Sequence, residues 1–295
     1  MLIVSSKEEE NILGGCNIMQ LYIHNSKIDL SFPKIMGILN TTPDSFYDGG
    51  KYYKLPDAIN YTGKMINDGA SIIDVGGEST RPGAKEVSIQ EELDRVIPVI
   101  EAITRRFDVL ISVNTSKPEV IRESSKAGSH IINDIRSLCM EGSIEAAAEV
   151  GLPVCLMHMQ GNPQTMQYNP QYKKNVCSEI NNFFSQRIIC CESAGIPKKN
   201  LLLDPGFGFG KSINHNYDIL VNLIKFHHFG LPLVVGMSRK SMIRDILNTS
   251  QCLIGSITCA VIAALQGIHI IRTHDVKETV EAMNIVAALR RKPQI

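Results

Sequence analysis

Apolar and polar positions along this chain fall into two alternating regimes. Short, nearly continuous apolar runs recur at 34–40 (KIMGILN), 71–77 (SIIDVGG), 109–115 (VLISVNT), 130–135 (HIINDI), 153–158 (PVCLMH), 200–206 (NLLLDPG), 232–238 (PLVVGMS) and 268–274 (IHIIRTH). Runs rich in Val and Ile, without strict alternation, suit strands covered on both faces of a parallel sheet. Most of the stretches between them carry helical periodicity or helix-start signals. Ser88 with Glu91 forms a capping-box pattern ahead of Ile89, Leu93, Val96, Ile97, Ile100 and Ile103, and Pro98 is expected to kink that helix. Ser116 with Glu119 repeats the pattern with Pro118 in the first turn, and Asp275 with Glu278 heads a stripe of Val276, Val280, Met283 and Ala287.

Eight such units, spaced about 33 residues apart, have the size of a βα repeat. They predict an α/β fold, a single (β/α)8 TIM barrel over 34–295. Residues 1–33 form a short lead-in that could be a hairpin closing the barrel bottom. An open doubly wound sheet is the alternative, but it usually carries a G-x-G-x-x-G turn after its first strand, and none is present.

Composition narrows the function. A hydrophobic fraction of 44% with 20% charged residues excludes disordered, collagen-like and disulfide-stapled classes. Thirty basic residues balance thirty acidic ones, so the strong positive field of a general nucleic-acid binder is missing, and small-molecule partners are expected. The longest apolar run, Ile257 to Leu265, is about half of what a membrane span needs. The start, MLIVSSKEEE, is acidic where a secretory signal is basic, which points to a cytoplasmic protein. The eight cysteines (Cys16, Cys139, Cys155, Cys177, Cys190, Cys191, Cys252, Cys259) include no C-x-x-C pair, and reduced thiols are expected.

Barrel enzymes carry their chemistry at the carboxyl ends of the strands. Those ends hold Asn40, Asp74, Asn114, Asn133 with Asp134, Met157 with His158, Asp204, Ser238 with Arg239 and Lys240, and Arg272 with His274. Singly, Asn40 or Asp134 reads as a helix cap, the Gly-rich loops as turns, Arg239 and Lys240 as a solvated pair and His158 as a core histidine. Their convergence on one predicted rim reads as catalysis. GFGFGKS (206–212) fails as a phosphate-binding P-loop because Pro205 stands where that motif needs glycine. His227 and His228 lack further ligands at metal spacing and read as surface residues. Lys240 and Arg272 end the last two strands, where barrels often bind phosphate, so a phosphorylated substrate is expected. Asp204, beside Phe207 and Phe209, suits the donor–donor edge of a flat heterocycle, which Asn133 can complete.

Seven blocks then carry a likeness: GILNTTPDSF (37–46), DVGGESTRPGA (74–84), IINDI (131–135), LMHMQG (156–161), LDPGFGFGK (203–211), GMSRKS (236–241) and RTHDVKE (272–278). Together, in order and from about residue 34 to 290, they resemble the bacterial dihydropteroate synthases of the pterin-binding family. The resemblance implies condensation of (7,8-dihydropterin-6-yl)methyl diphosphate with p-aminobenzoate, giving dihydropteroate and diphosphate for folate synthesis. It implies a pterin diphosphate site of Thr80, Asn114, Asn133, Met157, Asp204, Phe209, Gly236, Lys240, Arg272, Thr273 and His274. Of these, Lys240, Asp204, Arg272 and His274 would carry the reaction. Thr80, Arg81, Pro82, Ser238 and Lys240 would shape the p-aminobenzoate pocket, where sulfonamides compete, and Asn40 would bind Mg2+. It further implies a homodimer, and loops after the first two strands that close over the site.

The chain departs from the family pattern at SVNTSKP, where Asn114 replaces an aspartate; reduced turnover with pterin binding retained is expected. Arg244, where the family generally has glycine, lies beyond the rim and is assigned no role. A silent pterin-binding protein, a methyltetrahydrofolate-type methyltransferase and a Schiff-base aldolase using Lys240 remain alternatives.

Overall fold

Among the described residues, eight of the ten strands run parallel and follow one another around a ring. They are β3 (Lys34–Asn40), β4 (Ile72–Gly76), β5 (Leu110–Asn114), β6 (Ile131–Asp134), β7 (Val154–Met157), β8 (Leu201–Asp204), β9 (Val234–Val235) and β10 (Ile270–Thr273). The sheet order β8-β7-β6-β5-β4-β3-β10-β9 is closed by a parallel bridge between Leu203 and Leu233. The computed structural model describes residues 19–23, 26–42, 55–79, 83 and 86–290. Around the ring lie α1 (Leu55–Asn67), α2 (Ile89–Thr104), α3 (Pro118–Ala127), α4 (Ser143–Val150), α5 (Val176–Ser193), α6 (Ile213–Val221), α7 (Ser241–Leu247), α8 (Leu253–Leu265) and α9 (Val276–Arg290). This is the (β/α)8 barrel that the apolar runs predict.

Side chains alternate across each strand, so every strand has an inward and an outward set. The outward set (Ile35, Ile73, Val113, Ile132, Leu156, Leu203, Val235, Ile271) packs with the helices into the main core. The inward set begins with Met36, Ile72, Ile131, Cys155, Leu202, Val234 and Ile270, a separate apolar layer at the barrel floor. Against that layer pack Leu21, Ile23 and Leu30, from the antiparallel hairpin β1 (Gln20–Ile23) and β2 (Ser26–Asp29) and the residue after it. One pleat higher most inward positions turn polar, with Asp74, Ser112, Asn133, Asp204 and Arg272, and the site begins there.

The seventh barrel strand is only two residues long. Pro232 has no N–H to give, and the Leu233 N–H is taken at 2.9 Å by His269 Nδ1 as well as lying near its ladder partners. His130 repeats the device, accepting the Ile111 N–H at 3.1 Å. Helix starts follow the sequence in part. Ser88 caps α2 through its bond from Glu91 N, and the helix runs on through Pro98 to Thr104. Ser116 caps nothing: its hydroxyl donates to buried Asp134, and α3 begins one residue later with Lys117 at a cap position lacking a side-chain bond. A nonlocal carboxylate thus outcompetes the local capping pattern.

Candidate active site

The inward carboxylate of Asp74, in the middle of the apolar strand IIDVG, is the center of the rim. It is fully buried and accepts from Ser112 Oγ at 2.6 Å, Arg272 Nε at 2.6 Å and Asn133 Nδ2 at 3.2 Å, with Asn114 Nδ2 at 3.4 Å. A carboxylate can only accept, so both asparagines turn their Nδ2 toward it and present Oδ1 elsewhere. Strand register sets the row above it. Asn40 lies opposite Gly76, Gly76 opposite Asn114 and Asn114 opposite Asn133.

Across the mouth, β8 ends on Asp204, 7% exposed, beside Met157 of β7 in the register. Burial pushes the Asp204 carboxyl up, while Lys240 and the Gly206 N–H, at 2.7 Å from Oδ1, hold it down. Lys240 stands at the start of α7, donates to the Phe207 carbonyl, and sits 4.6 Å from the center of the Phe209 ring. Burial pulls its pKa down to about 8 against the attraction of Asp204. The loop 205–211 supplies this arrangement by lying flat on the end of β7. Gly206, at φ 70°, runs so close that a Cβ would fall 1.9 Å from His158 O. Only glycine permits both the turn and the approach.

Arg272 and His274 end β10. Arg272 is tied through Nε to Asp74; His274 Nδ1 lies 3.1 Å from Ser238 Oγ, to which its backbone N–H donates. Gly236 faces the Arg272 stem, 3.6 Å from its Cβ by the same construction. Thr273 has the opposite strand parity. It is buried, and its hydroxyl accepts from Asp275 N at 3.1 Å and meets Thr279 Oγ1, so it braces the start of α9.

Asn114, Asn133, Asp204, Lys240 and Arg272 therefore share the barrel mouth, with Asn40, Met157, Phe209, Gly236, Ser238 and His274 around them. Thr80, Arg81, Pro82 and most of the first predicted mobile loop lie outside the described residues. Phe207 does not flank the slot as expected: its ring is fully buried in the outer core, and only its carbonyl faces Lys240. Asp134 caps no helix, against its bland reading; it holds the turn after β6, accepting from the Arg136 and Leu138 N–H groups at 2.8 and 2.7 Å. His227 and His228 bond backbone carbonyls, and Arg244 is exposed on α7. The seven described cysteines are free.

Sequence reasoning placed Asp74 on the rim without a specific role, and passed over Ser112 and Lys211. The signal for Asp74 was a charged residue inside an otherwise apolar strand, two positions before the rim, where its side chain must enter the barrel.

A parallel barrel whose polar inward layer is gathered at the carboxyl ends of its strands defines an enzyme of the barrel class. The chain belongs to the family of pterin-binding enzymes, whose model matches residues 36–274. A dihydropteroate synthase of Escherichia coli K12 is 65% identical over 272 residues, covering 92% of this chain and 96% of that protein. Among solved structures, the Yersinia pestis dihydropteroate synthase with a sulfonamide drug complex has 59% identity and a TM-score of 0.89, covering 93% of this chain and all of the other. A dihydropteroate synthetase crystallised with its product has 58% identity and a TM-score of 0.87, with the same coverage.

Proposed function

We infer that this chain acts as a dihydropteroate synthase, joining (7,8-dihydropterin-6-yl)methyl diphosphate to p-aminobenzoate with release of diphosphate. The observation that carries the reading is the pairing at one mouth of a heterocycle slot, Asp204 with Lys240, and an anion side, Arg272 with His274. Relatives of high identity that bear this name support it. Asp204 accepts the donor edge of the pterin, and Lys240 and Phe209 hold its ring. Arg272, with Nε committed to Asp74, offers its two Nη groups to the diphosphate. As the C–O bond breaks, positive charge grows on the methylene and negative charge on the leaving group. The Oδ1 atoms of Asn114 and Asn133, aimed by Asp74, face the first, and Arg272 with His274 face the second. The neutral arylamine then needs placement, which Ser238 and the 80–82 segment supply. Sulfonamides compete for that place.

Mg2+ fits the donor set in one way. Among the described residues no three His, Cys, Asp or Glu side chains form a metal cluster, and Asn40 offers a single hard oxygen. A cation that keeps its waters and arrives with diphosphate suits such a site. When bound, it neutralises charge on the leaving group.

The reading also includes a homodimer and a cytoplasmic location. On α8, Ile254, Ile262 and Leu265 recur at helical spacing on one exposed face, and Ile285 and Leu289 do so on α9. A second copy would cover this face. No described helix is long and apolar enough to cross a membrane, and the free thiols agree with a reducing compartment.

The test is turnover of the two substrates with and without Mg2+. Formation of dihydropteroate and equimolar diphosphate supports the reading. Pterin binding without product would leave the silent pterin-binding protein in its place.

A further inference from the structure

Lys211 ends the 205–211 loop and is 3% exposed, yet among the described residues it forms no salt bridge. Its Nζ lies 2.8 Å from Gly206 O, 3.0 Å from Phe209 O, 3.1 Å from His158 O and 3.0 Å from His158 Nδ1. All four neighbors are acceptors, so they divide three N–H bonds among them. His158 takes part as a neutral ring, since burial and the adjacent Lys211 drive its pKa to about 2. Burial pulls the Lys211 pKa well down, while the Asp204 carboxylate and the four acceptors around Nζ favor the ammonium; a lysine this deeply buried persists where its donors satisfy groups that nothing else could reach.

The carbonyls in this cage come from two neighboring strand ends. His158 follows β7, whereas Gly206 and Phe209 belong to the loop after β8. Without a cation between them, three carbonyl dipoles aimed at one point repel and the loop lifts from β7. That loop delivers the Phe207 carbonyl and the Phe209 ring to Lys240, and the Gly206 N–H to Asp204. Gly208 also carries the Lys240 stem, its hypothetical Cβ standing 3.1 Å from Lys240 Cδ. Every protein contact that shapes the Asp204–Lys240 slot from this side thus hangs on the loop path.

We propose that Lys211 is a positioning residue whose ammonium, held in a cage of three backbone carbonyls, fixes the 205–211 loop and so sets affinity for the pterin ring. The proposal rests on the pterin-binding reading above and adds to it a determinant with no ligand contact of its own. It also explains the GFGFGK run without a nucleotide. The glycines let the chain fold its carbonyls inward, and the lysine is the cation they surround.

The experiment compares the parent chain with Lys211→Ala, which leaves an ammonium-sized hole inside the cage. Binding of (7,8-dihydropterin-6-yl)methyl diphosphate is titrated, and KM and kcat are measured for both substrates. The expected result is pterin affinity about tenfold weaker, as the loss of charge-assisted bonds implies, with KM for p-aminobenzoate within about twofold of the parent. Ammonium or methylammonium chloride should recover most of the loss, while tetramethylammonium chloride at the same ionic strength, too large for the hole, should not. Unchanged pterin affinity in Lys211→Ala, or a loss that small ammonium ions fail to recover, overturns the proposal. If Lys211→Ala does not fold, Lys211→Gln, which keeps two N–H donors, should fold and bind pterin with an intermediate loss. Failure of both to fold overturns the proposal by making Lys211 a requirement of the barrel. A parent chain that binds no pterin would sink the functional reading beneath it, an outcome separate from equal binding by parent and variant.

Discussion

Arg272 of β10 reaches past β3 to Asp74 of β4, donating from Nε to Oδ2 at 2.6 Å. The contact links residues 198 positions apart and binds the last strand of the barrel to its second. Asp74 also holds Asn133, Asn114 and Ser112, so one carboxylate positions four side chains, of which Asn133, Asn114 and Arg272 stand at the barrel mouth.

Replacing Asp74 by Asn keeps its volume but puts a donor among donors. Arg272 would lose its buried counter-charge. Breaking one side of such a pair costs about 3–5 kcal/mol. A urea titration of Asp74→Asn should show a loss of that size. At denaturant-free conditions where the variant is folded, kcat/KM should fall about a hundredfold, because both sides of the breaking bond lose alignment. Parent-like turnover in a folded variant would show that Asp74 aims nothing.

Lys240 gives the site a pH limit. Burial lowers its pKa to about 8, so its ammonium form is lost as the pH rises through that value. kcat/KM should therefore decline above about pH 8, and Lys240→Arg, which stays protonated, should remove that limb whatever its overall activity. Stability has the opposite sign. The folded state holds this proton less tightly than the unfolded chain, whose lysine titrates near 10.5, so protonation below about pH 8 costs the fold. That cost relaxes as the pH rises toward 10.5. Melting curves in the two pH ranges, compared with Lys240→Met, check the sign.

Asn114→Asp should raise turnover, because a carboxylate faces the developing cation with bonds roughly twice as strong as those of an amide. The structure adds a cost. Asn114 Nδ2 now donates to Asp74 Oδ2, and the variant replaces that donor with a second carboxylate. A stability loss of about 1 kcal/mol should accompany the faster reaction, and one pKa of the new pair should rise. Equal rates in parent and variant would remove Asn114 from the mechanism.

The parts of this fold legible in the sequence are those set by local pattern. Each of the eight apolar runs contains a barrel strand, since burial on both faces leaves little room for any other composition. The gathering of polar residues at strand ends was legible for the same reason. What stayed hidden is nonlocal. Ser116 reads as a helix cap until Asp134, 18 positions on, claims its hydroxyl. Phe207 and Phe209 look equivalent, yet the turn at Gly208 sends one ring to the core and leaves the other under Lys240. Asp74 gains its meaning only from β5, β6 and β10 together. The Thr80–Pro82 segment, named by resemblance, lies outside the described residues, but Glu78, two positions before it, is described.

The ammonium of Lys117 bridges Glu78, before the 80–82 segment, and Glu92, after it. Glu92 is 1% exposed, and its Oε1 has no partner among the described residues. Arg136 stands 4.0 Å from Glu78 and adds little, so Lys117 is the charge that holds both carboxylates. Lys117→Met leaves Glu92 buried without a cation and should cost about 3–5 kcal/mol in urea unfolding. Lys117→Met combined with Glu92→Leu removes the stranded charge, and should recover at least about half of that loss. The kinetic consequence separates anchoring from stability. In the double variant Glu78 still lacks its Lys117 partner, so KM for p-aminobenzoate should stay raised although the fold has recovered. A double variant with parent-like KM for p-aminobenzoate would mean that the Lys117–Glu78 pair has no bearing on that substrate.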